Sequence, residues 1–126
     1  MSVTHPTAFR NAVATMVEDN TPGGSLVFRA SPSTAASPGA EIATLTLATP
    51  SFGAPTNGTI TAGTITQDSN ATGGTVAFAT IDSVGAVTQV HCSVAASGQD
   101  INFSGGLVVS AGDIVSCSAL TYTAMP

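Results

Sequence analysis

Lysine does not occur in this chain, and its only permanent cations are Arg10 and Arg29. Seven acidic residues oppose them, giving a net charge of −5. Charged residues make up 7% of the sequence, where globular domains carry ~25%. A phosphate backbone is bound through clusters of Lys and Arg, so nucleic acid is excluded as an expected partner. No apolar run approaches the ~20 residues of a membrane-spanning helix, so no membrane partner is expected. The opening MSVTHPTAFRN has neither the basic nor the apolar region of a secretory signal. The expectation is a protein that stays in its compartment of synthesis. Cysteine occurs twice, as Cys92 and Cys117. A disulfide would be geometrically possible on neighbouring strands. Without a secretion signal, two buried reduced thiols acting as small hydrophobes are the expectation.

What is present is 43% hydrophobic sequence, which at this low charge is the opposite of a disordered composition. A chain of 126 residues suits one domain spanning 1–126. Such a chain buries roughly two-thirds of its unfolded surface without metal or disulfide staples. One segment reads as helix, over about 7–19. Phe9, Val13, Met16 and Val17 form an apolar stripe that must pack on a sheet or on a partner. Glu18 and Asp19 oppose the helix dipole, so the last turn is expected to fray.

Everything from residue 24 onward reads as β. GSLVFRA points Leu26 and Phe28 inward and Ser25, Val27 and Arg29 outward. IATLTLA points Ala43, Leu45 and Leu47 inward, and GGTVAFATID buries Val76 and Phe78. VTQVHCSV points Val90, Cys92 and Val94 inward, with a hairpin around Gly85 before it. Short strands are expected at 101–103 and 107–109. The last run turns Val115 and Cys117 inward, then Leu120 and Tyr122 after a bulge near Ala119. Ile60 and Ile65 in GTITAGTIT lie an odd number of residues apart, so a bulge at Ala62–Gly63 is needed to bring both to the core. Residues 31–40 read as an exposed loop, and Pro50 to Gly58 as a long turn region carrying Phe52 as a loop aromatic. About eight short strands with regular turn signals define a mainly β chain. The expected architecture is an antiparallel, jelly-roll-like β-sandwich with one N-terminal α-helix.

Chemistry-bearing constellations are sparse. His5 and His91 are the only candidate general bases. A Ser-His-Asp site can be drawn around His91, but in so serine-rich a chain some Ser always lies near, and a solvated strand histidine is the simpler reading. His91 and Cys92 point to opposite faces of one strand and make no metal site. Asp82, Asp100 and Asp113 read as turn formers that accept backbone hydrogen bonds. Asp100 with Asn102 is too little for calcium. No catalytic residue, cofactor or metal is expected, and an enzyme is not.

An uncharged surface has a use. Fixing a Lys or Glu at an interface forfeits up to ~2 kcal/mol of rotamer freedom, whereas Ala and Gly lose almost none. Faces of Thr, Ser and Ala can be covered without stranding a charge. AFRNAVATMVEDN, GSLVFRA, EIATLTLATPSFG, GTITAGTITQDSNATGGTVAFATIDSVGAV and AGDIVSCSALTYTAMP, in this order, resemble small β-rich structural proteins of tailed bacteriophages. The likeness runs over nearly the whole chain and is clearest at LATPSFG and from Gly58 to Thr66. It departs at Cys92 and Cys117, where the pattern more often holds aliphatic residues. The resemblance implies a capsid decoration, or cement, protein. Such a protein would be a jelly-roll-like protomer, assembled in the host cytoplasm as a homotrimer, that binds the major capsid protein on the outside of the virion. On that implication residues 1–10 and the 31–40 loop are the contact elements. Val3, His5, Phe9, Arg10, Ser33 and Thr34 are then the candidate capsid-contact residues. A tail or fibre module for receptor or glycan binding remains the alternative, and a hydrolase the third class.

Overall fold

A computed structural model describes residues 3–95, 101–102 and 106–124. The fold is mainly β with one N-terminal helix, as the sequence pattern predicts. Helix α1 (Thr7–Asn20) follows Pro6, whose extended backbone starts it. Pro22 cannot supply a helical N–H, so the helix stops before it. Its end is sealed rather than frayed. Thr21 Oγ1 lies 2.8 Å from Val17 O and 2.7 Å from Ser51 Oγ, which in turn lies 3.3 Å from Glu18 O. Two buried hydroxyls thus close off the carbonyls of the last helical turn.

The ten strands among the described residues are β1 (Ser25–Arg29), β2 (Glu41–Leu47), β3 (Thr59–Thr61), β4 (Ile65–Thr66), β5 (Gly74–Thr75), β6 (Phe78–Asp82), β7 (Thr88–Ala95), β8 (Ile101–Asn102), β9 (Val108–Val109) and β10 (Thr121–Thr123). A large sheet runs β4-β2-β1-β6-β7-β8. Its pairs are antiparallel except for the parallel β7–β8. Two short ribbons, β10-β3 and β5-β9, stand apart from it. The register puts Leu26 between Leu45 and Ile81, and Phe28 between Ala43 and Ala79. These residues share one core with Ile60, Val76, Val109, Val115 and Leu120 from outside the large sheet, which makes the fold sandwich-like. Each fully buried Leu, Ile or Phe contributes ~1.5–3 kcal/mol of hydrophobic stabilisation.

Other expectations change as well. The helix turns Ala14 and Val17 inward, leaving Phe9 44% and Met16 63% exposed. Two polar anchors set this rotation: Asn11 Oδ1 accepts from Gly58 N at 2.7 Å, and Arg10 Nη2 donates to Ala124 O at 3.2 Å. Phe52 is 1% exposed and belongs to the core, held by a bridge to Ala62, so it is no loop aromatic. Phe78 lies on the outer face with Thr80, because the chain leaves β5 at Val76–Ala77 before β6 begins and the alternation restarts. Ile60 and Ile65 both reach the core, but not through a bulge in one strand. The chain changes sheet between them, pairing Ile60 with β10 and Ile65 with β2.

The hairpin around Gly85 forms as expected, with Ser83 N bonded to Val87 O. Inward placement of Leu26, Phe28, Leu45, Leu47, Val90, Val94, Val115 and Leu120 also holds. Phe103 and Asp100 lie outside the described residues.

Candidate functional site

The outer face of the large sheet is covered where a solvated surface is expected. Val27 is 3% exposed and Thr80 and Asp82 are equally buried, beneath the loop between β1 and β2. Arg29 organises this cover. Its Nη2 donates to Asp82 Oδ2 at 3.0 Å, its Nε to Thr80 Oγ1 at 2.9 Å, and its Nη1 to Gly39 O at 2.9 Å. Asp82 also accepts from Thr88 Oγ1 at 3.1 Å. It is therefore one half of a buried ion pair, not a turn former, although it ends its strand. Asp113 does close a turn, accepting from Ser110 N at 2.9 Å. Asp68 caps two backbone N–H groups, those of Asn70 and Thr44.

The same loop is tied down a second time. Ser33 Oγ lies 3.0 Å from His91 Nε2 and accepts from Gly39 N at 3.0 Å. Which of the two atoms donates follows from the tautomer of the ring. The His91 ring packs on Phe78 with centroids 5.0 Å apart, so this histidine is half-buried and bonded rather than solvated. A serine hydroxyl beside an imidazole is the first half of a nucleophile–base pair. Here Ser33 is 8% exposed, its oxygen is engaged by a backbone N–H, and among the described residues no carboxylate bonds to the His91 ring. The geometry holds a loop in place.

The candidate contact residues therefore separate. Val3 is 76% exposed, and the His5 and Phe9 rings pack at a tilt with centroids 4.7 Å apart, so His5 and Phe9 share one surface at the start of α1. Met16 is exposed further along the helix with Val13 half-buried beside it, and Thr34 is exposed on the loop. Arg10 and Ser33 do not belong with them. Arg10 lies part-buried between the helix and Ala124, and Ser33 lies beneath the loop it was expected to display. The sequence carried a signal for the outward stripe, since Phe9, Val13 and Met16 are spaced for one helix face; it carried none for which face the core would take.

An open cavity of about 860 Å³ lies between the core face of β1, β6 and β7 and the segment from Ile114 to Thr123. Phe28, Ile81, Val90 and Cys92 line one side, and Val115, Cys117, Leu120 and Tyr122 the other. Neither cysteine is disulfide-bonded, and both are half-buried rather than enclosed. Cys117 Sγ donates to Ala119 O at 3.3 Å. Burial pushes its thiol above the ordinary 9.0, outweighing the opposing effect of that hydrogen bond. Among the described residues no group of three or more His, Cys, Asp or Glu side chains is placed to hold a metal. No described helix is long and apolar enough to cross a membrane.

No family model, curated protein or solved structure matches this chain. Its functional reading therefore rests on the arrangement of its own residues.

Proposed function

We propose that this chain is a bacteriophage virion structural protein of the capsid decoration type. In this reading it binds the outer face of the assembled head, against the major capsid protein, as a homotrimer. The observation that carries the reading is the outward apolar face of α1. Phe9 and Met16 stand outside a core that Ala14 and Val17 of the same helix already serve, with Val13 half-buried beside them. A helix fixed by Asn11 and Arg10 presents these side chains without having to order itself on binding.

Around that face the chain offers little charge to desolvate, with nine charged residues in all if His is neutral. Covering Phe9 and Met16, already partly covered, gains only about half of the ~1.5–3 kcal/mol that full burial of an exposed side chain supplies, before the losses of association. Single-site binding is then modest, and three linked sites multiply it. A ligand that binds only the expanded shell stabilises that shell by mass action. The glycan-binding alternative loses its one loop aromatic, because Phe52 is inside.

The test uses purified protein and expanded heads that lack it. Wild type is expected to cosediment with heads, and the double variant Phe9→Ser/Met16→Ser to stay in the supernatant with its fold intact. Full binding by the folded double variant would overturn the assignment of the contact face. Failure of wild type to bind heads would overturn the function. Deleting residues 1–10 is the poorer experiment, since it also removes Arg10 and unfastens Ala124.

A further inference from the structure

We infer that Cys92 and Cys117 form a redox-reactive pair, closing into an intramolecular disulfide that fastens the segment before β10 onto β7. Both thiols line the same cavity, Cys92 from β7 and Cys117 from the segment before β10. Cys92 stands on the core face of β7, opposite Ala79 in register. Its strand is held along one side by β6 and is the fixed partner.

Cys117 stands on a segment that can move. Val115 is tied to Asp68 by two backbone bonds, and Leu120 O accepts from Ala62 N. Between these ties, Ser116 to Ala119 make no backbone hydrogen bond to another described residue. Packed β layers stand ~10 Å apart, whereas a disulfide needs Cα atoms within about 7 Å. Where the two Cα atoms stand farther apart than that, the segment has to move inward, and the cavity in front of it supplies the room. Only the weak Cys117 Sγ–Ala119 O contact is lost from Cys117 in doing so.

The reaction is thiol–disulfide exchange with a low-molecular-weight disulfide of the glutathione class. One protein thiolate attacks, releasing one small thiol and forming a mixed disulfide; the second protein thiolate displaces the other small thiol. Two protein thiols are oxidised, one small disulfide is reduced to two thiols, and the two protons leave the cysteines for the departing sulfurs. In a reducing compartment the pair stays as thiols, and outside it the bond persists. For a particle protein, closure would follow release from the host; this last step alone rests on the function proposed above.

The experiment treats the whole purified chain with oxidised glutathione at pH 9, where the raised Cys117 thiol ionises more readily, and removes the reagent by gel filtration. Intact mass is expected to show a monomer lighter by two hydrogens, with one cross-linked peptide containing Cys92 and Cys117. Cys92→Ser and Cys117→Ser are each expected to stop at a single glutathione adduct. A wild-type chain that carries two adducts, remains reduced, or links only between molecules overturns the inference. Because the readout needs no heads, it succeeds or fails independently of shell binding.

Discussion

Replacing Arg29 by methionine keeps most of the side-chain volume and removes the charge and its donors. Asp82, whose side chain is 3% exposed, then keeps only Thr88 Oγ1 among its side-chain donors. Gly39 O loses its contact to the sheet. Removing one partner of a buried pair costs about 3–5 kcal/mol, because the surviving charge remains out of water. A domain of this size has ~5–15 kcal/mol in total. Arg29→Met should therefore lower the urea midpoint sharply at pH 7 and expose residues 31–40 to protease before global unfolding.

The double variant Arg29→Met/Asp82→Leu distinguishes charge stranding from general loss of packing. It removes both ions, so most of the lost stability should return, with the double variant within about 1–2 kcal/mol of wild type. Urea denaturation of the four proteins of this cycle, monitored by far-UV circular dichroism, measures the coupling. A single variant that loses less than about 1 kcal/mol would refute the reasoning. So would a double variant no more stable than the single one.

Phe52→Ala should cost about 3–5 kcal/mol by urea denaturation, as a core truncation does; a loss under about 1 kcal/mol would return this residue to the surface. Gly58→Ala should cost ~1–3 kcal/mol, since Gly58 has φ +77° and an added Cβ would sit 2.9 Å from Arg10 Cβ. Phe9→Ser and Met16→Ser should each change stability by less than about 0.5 kcal/mol, in contrast to their effect on head binding. For Cys117, the folded chain holds the thiol proton more tightly than the unfolded chain does. Its contribution to stability is therefore complete below the ordinary 9.0 and is lost as pH rises through the higher folded value. Cys117→Ser should flatten the decline in thermal midpoint above pH 9, and an unchanged slope would count against this assignment.

Period-two alternation is a local property, and it was readable wherever a strand ran unbroken. Leu26 and Phe28, Leu45 and Leu47, and Val90, Cys92 and Val94 all face the side their spacing predicts. Alternation failed where the chain changed sheets, at Val76–Ala77 and again between Ile60 and Ile65, because phase carries no memory across such a break. The helix showed its limits of span clearly and its rotation not at all. Three larger apolar residues beside a small Ala14 suggest the wrong inward face, unless the polar contacts of Arg10 and Asn11 to remote backbone are known.

Composition and alternation were enough to make this a sparsely charged β domain headed by one helix, since both follow from residues close together in the chain. Only tertiary structure joined Arg29 to Asp82 across 53 positions and Ser33 to His91 across 58, fastening to the sheet a loop that is otherwise exposed, as its sequence reads. It also set Cys92 and Cys117 around one cavity and turned Phe9 and Met16 outward. Contacts at such separations depend on how distant strands and loops meet, and no short window of sequence records that.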